Sequence, residues 1–442
     1  MAASFTQVMF FLLAGIALII LLTARLKVHA FFALSVACFV VGIGVQLPVG
    51  EIITAMKQGF GHIMQSLGFI IVLGTTLGVL LEHTGSTRVM AAFILKKTGE
   101  RHAPLAMNIT GFMVGLPIFC DSGYIVLSGL NQTLARRTQT AVPIMATSLA
   151  AGLYAVHCLI PPHPGAAAAA GIIGVDFGKL LITGIAVAVP ASAVGYWWAR
   201  YAGKNISPMP DTEEKNADMH TQLPSVMQSF LPVMVPILLI ALGSFSSAEA
   251  HENGIWNFFK VTGDPVIALF IGVLLALTAI RSWKINTLSK LLQEGAEKAG
   301  GILVIIGAGG AFGAVLAATH IGDHLGTSLP LERMGILFPF LVTALLKTAQ
   351  GSSTVAIITA ASIIHPLLPS LGLHTPTGQL LCVLAMGGGS MMISHANDAY
   401  FWVISKFSGV EMKTMLKVYS LATLFMGLTV LLTVYLMSLV ML

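Results

Sequence analysis

Charge is what this chain has least of. Only 9% of its 442 residues are Asp, Glu, Lys or Arg, whereas 56% are hydrophobic. Soluble domains carry roughly 25% charge, so the deficit, with a mean hydropathy of +0.88, excludes a soluble globular protein. Cysteine is scarce as well. Cys38, Cys120, Cys158 and Cys382 sit in apolar surroundings without metal-ligand spacing, which argues against a disulfide framework and a metal site. Neither a G-x-x-x-x-G-K-[ST] loop nor an H-E-x-x-H is present, which argues against an ATP-driven pump within this chain and against an intramembrane metalloprotease. The Gly-rich run 307–310 lacks flanking strand pattern and reads as helix packing. The net charge of +5 comes from basic residues scattered between apolar runs, so no nucleic-acid surface is expected. Nothing points to an enzyme or to a cofactor.

What the chain does have is apolar runs of the roughly 20 residues that a bilayer requires. The first is too long for a signal-peptide core and lacks a following cleavage site, so it is read as a mature helix. Spans are expected near 8–24, 28–48, 65–82, 140–175, 179–198, 226–247, 265–281, 301–318, 378–405 and 416–440, with those at 140–175 and 378–405 broken. The stretches near 104–135 and 336–365 are apolar at both ends, polar in the middle, and too short to cross twice. Re-entrant hairpins fit them, because irregular backbone at depth is tolerated only inside protein or beside a cavity; two ordinary spans joined by a tight turn are the alternative. With the N-terminus outside, only Lys57, Lys179, Lys260, Arg333 and Lys347 of the 23 basic residues fall away from the cytoplasmic side, as the positive-inside rule requires.

One polar linker, 201–223, is placed in the cytoplasm and divides the chain into a first membrane repeat (1–200) and a second (224–442). Each half follows one order: two spans, an amphipathic stretch (Glu51–Gly61; Thr287–Gly300), a Gly-rich span, a hairpin, a broken span and a last span. The fold class is therefore an all-α integral membrane protein. Two inverted repeats each hold about five spanning helices and one re-entrant hairpin, with one broken helix apiece. Matched interruptions of this kind point to a secondary transporter's midplane site.

The polar residues at those interruptions carry the chemistry. At the first hairpin tip, Pro117 and Gly123 let the chain turn and place Asp121, Ser122 and Tyr124 at depth. A desolvated Asp can carry a proton; it can equally cap a helix end. The second tip, Gly351 to Thr354, offers three hydroxyls and backbone N–H groups before a helix, a setting that favours anions. Small hydroxyl residues also simply pack helices. Lys347, four residues earlier, can pair with a substrate carboxylate or snorkel outward. Pro161, Pro162 and Pro164 force unwinding between His157 and Gly165, and Gly387–Gly389 is expected to loosen the span before His395, Asn397 and Asp398. A lone His in a span is ordinarily a packing residue; His157, His163 and His395 at matched breaks are read as functional. Asp398 is the second coupling candidate beside Asp121.

At these residues the chain resembles the gluconate permease family of the ion transporter superfamily over nearly its whole length. The specific pieces are Gly115 to Phe119 followed by the acid and Gly123, Val156 to Ala166 with its histidine–double-proline run, Ala349 to Ala356, and Ser394 to Asp398. The resemblance implies proton-coupled uptake of sugar acids such as gluconate across the bacterial inner membrane. It also implies a homodimer that moves a transport domain against a scaffold as an elevator. The family's signature residues correspond to Asp121, His157, His163, Ser352, Ser353, Thr354, His395, Asn397 and Asp398. Two positions depart from the pattern. Cys120 precedes the acid where relatives carry Phe, and Ser122 follows it where they carry a larger apolar residue, so a more polar or reshaped site is expected.

The expected substrate is a small sugar acid or hydroxy-carboxylate. Asp121 and Asp398 would carry the proton, and Ser122, His157, His163, Lys347, Ser352, Ser353, Thr354, His395 and Asn397 would hold the solute. Alternatives are sodium coupling through the hydroxyl tips and Asn397, another hydroxylated acid such as D-serine or a shorter aldonate, and a membrane sensor that binds without transporting.

Overall fold

A computed structural model of the protein describes residues 5–207, 223–248, 254–280, 285–319, 331–396 and 398–441. Most of the linker, and Arg281, Lys284 and Asn397, lie outside them. Among the described residues the fold is helical throughout, without a strand. In chain order the helices are α1 (Phe5–Ile20), α2 (Ala30–Gly44), α3 (Val49–His83), α4 (Ser86–Thr98), α5 (Ala103–Gly115), α6 (Cys120–Arg137), α7 (Val142–Leu159), α8 (Pro164–Ile173) and α9 (Phe177–Gly203). After the linker come α10 (Val226–Ala248), α11 (Gly254–Thr262), α12 (Pro265–Leu277), α13 (Ile285–Ala318), α14 (Leu337–Gln350), α15 (Ser353–Ile364), α16 (Pro376–Met391), α17 (Ala399–Ser408) and α18 (Met412–Met441, through a π-turn).

Helix boundaries follow local chemistry. Pro occupies the first turn of α5, α7, α8, α12 and α16, where its missing N–H costs nothing. Asp176, Asp264 and Thr375 cap α9, α12 and α16 with side-chain oxygens. Gly174, at φ 87°, ends α8 in the left-handed conformation that glycine alone adopts without strain.

Among the described residues seven helical stretches are long and apolar enough to cross a membrane, or eight if α11 and α12, bent by 74°, count as one broken span. The helices α2, α14 and α15 are apolar but shorter. Burial distinguishes the spans: the α7–α8 stretch is 94% buried inside the protein, while the apolar stretch of α18 is only 22% buried. So α7–α8 forms the centre, packed by α5, α6, α9, α16 and α17, with α3 and α15 against α8.

Three expectations from the sequence change here. The amphipathic stretches at 51–61 and 287–300 are continuous with the Gly-rich spans that follow, giving single helices of 35 and 34 residues. No proline interrupts either, and at 1.5 Å per residue each is about 50 Å long, well beyond a 30 Å hydrocarbon core. They cross at Gly59 and Gly310, where a Cβ on Gly310 would lie 2.7 Å from the Gly59 carbonyl oxygen. Gly387–Gly389 does not loosen its helix. All three residues are buried within α16 because each meets a different neighbour: Cys158 of α7, Val430 of α18 and Phe340 of α14. The interruption comes later, at 392–398, where Ile393 adopts φ 45°. Nor does Gly123 form the first turn; it lies inside α6 against Leu153, and the chain turns at 116–119.

Candidate functional site

Two helix pairs and two interrupted helices bring their ends together around α7 and α8. The pair α5–α6 turns at 116–119, and α14–α15 turns at Gly351, whose φ of 87° requires glycine. The N-termini of α8 and α15 abut: a Cβ on Gly165 would lie 3.4 Å from the Cα of Thr354. The first turns of α6 and α17 meet through Tyr124 and Tyr400, whose rings lie edge to face at 6.2 Å. Four helix N-termini thus approach one region, each with the positive end of its dipole toward it.

The strongest contact in this region is ionic. Lys347 Nζ lies 2.6 Å from Asp398 Oδ2, and the two side chains are 0% and 7% exposed. Lys347 therefore does not snorkel. Its ammonium also donates to the Gly351 carbonyl and lies 5.9 Å from the Tyr154 ring centroid. Asp398 is held from three sides: by Lys347, by the Ser394 hydroxyl at 2.5 Å, and by the Tyr400 backbone N–H at 3.0 Å, which makes it the cap of α17. Both of its carboxylate oxygens therefore have donors, Oδ2 from Lys347 and Ser394 and Oδ1 from the Tyr400 N–H.

Asp121 is the opposite case. It lies in the first turn of α6 but does not cap it, and its buried Oδ1 has no hydrogen-bond partner among the described residues. Asp398 and Lys347 are its electrostatic neighbours. The two acids expected from the sequence thus share one region in unlike states, one saturated and one open.

The histidines divide as well. His163 Nε2 is 2.6 Å from the Gly115 carbonyl, locking α8 to the end of α5. His157 stacks on Tyr154 (ring centroids 6.3 Å, 12° between planes) and lies 5.1 Å from His163, with its Nδ1 buried and unpartnered among the described residues. His395 Nε2 meets the Thr348 carbonyl at 3.2 Å and so ties the second break to α14. At the second tip, the Ser352 hydroxyl accepts from the Val355 N–H and caps α15, Ser353 is buried, and Thr354 is half-buried beside α8. Ser122 is half-buried next to Asp121.

Gln350 joins the site although its sequence context did not single it out within the Ala349 to Ala356 motif. Both polar atoms of its amide are buried, without a partner among the described residues, directly before the second turn. An unsatisfied buried amide is costly, so such a group calls for an explanation. The one signal in the sequence is a primary amide in an otherwise apolar hairpin. Tyr154 and Tyr400 are likewise additions that only the structure makes. Tyr154 donates to the Ser390 carbonyl at 3.2 Å, and its ring lies 5.6 Å from that of Tyr400, so the pair connects the two breaks.

A family model for GntP family permeases matches residues 7–440. The chain belongs to this family. GntP family members are permeases rather than enzymes, and this one is a multi-pass protein of the bacterial inner membrane. It is 33% identical over 437 residues to the gluconate permease of Pseudomonas aeruginosa, covering 96% of both chains. The D-serine transporter DsdX of Escherichia coli O6:H1 is 30% identical over 437 residues, covering 97% of each. Among solved structures, MtrF of Neisseria gonorrhoeae, described within a class of antimetabolite efflux pumps, superposes with a TM-score of 0.60 over 93% of this chain and 96% of its own. At 14% identity that likeness concerns the fold alone.

Proposed function

We propose that this GntP family permease takes up gluconate or a related small sugar acid together with a proton. The observation that carries this reading is the charge arrangement around Lys347. Asp121, Asp398 and Lys347 bring two negative charges and one positive into a buried site, and a sugar acid adds a third negative charge. Uncompensated charge at low dielectric is expensive, so a proton entering with the anion keeps the balance. Asp398 is occupied by its partners, which leaves Asp121 Oδ1, without a partner among the described residues, to receive that proton. The four helix N-termini and the Ser352–Thr354 hydroxyls suit the substrate carboxylate. His157, His163, His395 and Gln350 suit its hydroxyl groups, with Ser122 and Asn397 completing the set.

The movement we assign is an elevator within each subunit of a homodimer. Its support is the recurring order of elements: a long Gly-bearing helix (α3, α13), a helix pair (α5–α6, α14–α15), an interrupted helix (α7–α8, α16–α17) and a final helix (α9, α18). On this reading 1–200 and 224–442 are inverted repeats joined by the cytoplasmic linker 201–223, and the two helix pairs are re-entrant. D-serine is the second reading. A relative bears that name, and the two carboxylates would suit an ammonium group.

The test is uptake into proteoliposomes under an imposed proton gradient, with labelled aldonates, uronates and D-serine. The expected result is accumulation of one sugar acid that collapses with a protonophore. Accumulation that requires sodium and ignores the protonophore would overturn the proton assignment. Binding without accumulation of any solute would overturn transport of this class.

A further inference from the structure

Two cavities away from the central site meet end to end on the α5–α9 face. The first, about 540 Å³, is lined by Arg101, His102, Gln139, Tyr196, Arg200 and Lys204 among others, and by no acid among the described residues. The carboxylate next to it in sequence, on Glu100, is already engaged by Arg137 at 2.9 Å. Arg200 meets neutral partners, the Tyr196 hydroxyl at 3.1 Å and the Tyr196 ring, and Lys204 stands over the Tyr201 ring at 4.8 Å. Three permanent cations therefore face one cavity without a counter-charge among the described residues.

The second cavity, about 550 Å³, shares Tyr196 with the first and continues along the same two helices. Its walls are Leu105, Ile109 and Phe112 of α5 with Val189, Ala193 and Trp197 of α9, at the three- and four-residue spacings that put them on one face of each helix. Its polar floor is internally satisfied: Asn108 donates to the Ser148 carbonyl at 3.0 Å and accepts from the Ser192 hydroxyl at 3.1 Å. Nothing there seeks a polar ligand. Val189 and Trp197 are 52% and 63% exposed, so the groove opens outward. From Val189 to Trp197 the groove runs about 12 Å along α9, at 1.5 Å per residue, and Arg200 of the basic cavity follows less than one turn further on.

We infer that the α5–α9 face holds one anionic phospholipid, with its phosphate among Arg101, Arg200 and Lys204 and an acyl chain in the apolar groove. Charge complementarity selects the headgroup: a zwitterionic lipid brings a choline cation that three unpaired basic side chains repel. Basic clusters at the ends of membrane helices hold anionic lipids in this way, and Trp197 and Tyr201 sit where interfacial aromatic rings are favoured. Because α9 and α5 both pack on α7, the lipid would brace the two helices that flank the one carrying His157.

The test uses the full chain in mild detergent, delipidated and mixed with equal amounts of phosphatidylglycerol and phosphatidylcholine, with bound lipid counted by native mass spectrometry. Phosphatidylglycerol should dominate on the wild-type protein. R200Q/K204Q should lower its occupancy about tenfold with phosphatidylcholine unchanged, and Ala193→Trp, which fills the groove, should lower both. Equal binding of the two lipids by the wild type would overturn the inference without recourse to any variant. So would displacement of the lipid by an equal concentration of glycerol phosphate, which would make the cavity a free-phosphate site. Disulfide cross-linking of two copies through Ala193→Cys in membranes would assign the groove to a second copy and overturn it too.

Discussion

Lys347 and Asp398, 51 positions apart in sequence, form a buried ion pair at 2.6 Å that joins the end of α14 to the start of α17. Removing one partner leaves the other charge buried and uncompensated. Lys347→Met or Asp398→Asn alone should therefore cost about 3–5 kcal/mol, while the double variant should recover much of that loss. Thermal melting of the purified protein in detergent measures all three. A double variant no more stable than the worse single one would show that the pair does not act as a unit.

Among the described residues Asp121 has a buried carboxylate oxygen without a partner, whereas both oxygens of Asp398 are engaged. Asp121→Asn is expected to abolish uphill accumulation while preserving counterflow exchange, because the neutral amide mimics a permanently protonated acid. Concentrative uptake by this variant at the wild-type level would remove Asp121 from the coupling role.

Gln350 separates a binding role from a packing role. If its amide waits for substrate, Gln350→Leu should weaken substrate binding by about 1–3 kcal/mol, roughly fivefold to 150-fold. The same change removes an unsatisfied buried amide, so the melting temperature should hold or rise. Unchanged affinity in a binding assay would leave Gln350 without a ligand role.

The Gly59–Gly310 crossing sets how closely the two longest helices approach. Gly310→Ala brings its new Cβ to 2.4 Å from Ile63 Cγ1 and 2.7 Å from the Gly59 oxygen. A backbone carbonyl cannot move aside as a side-chain tip can, so a loss of about 1–3 kcal/mol is expected. Gly300→Ala in the same helix meets nothing within 4 Å and should be neutral. Equal melting of the two variants would contradict the close approach.

Much of this is legible along the chain because hydropathy is a local property. The apolar runs, the proline-forced gap between α7 and α8, and the polar tips at Asp121 and Ser352 need no knowledge of neighbours. Glycines are harder to interpret. Gly387–Gly389 and Gly123 read as flexible points because a missing side chain permits bending, yet the same absence permits close packing, and only their neighbours tell which use applies. The amphipathic stretches look separate from the Gly-rich spans because polarity changes along α3 and α13 while helical geometry does not.

By itself the sequence determined that this is a membrane-spanning helical chain of the permease type, with acids, histidines and hydroxyls gathered at interruptions, since burial in lipid constrains composition residue by residue. Only the tertiary structure decided which acid is paired and which is open, that Lys347 points inward to Asp398, and that Gln350 stands unsatisfied in the same hairpin as Lys347. Those distinctions depend on contacts at hydrogen-bond distance between residues far apart in the chain, and no local pattern encodes them.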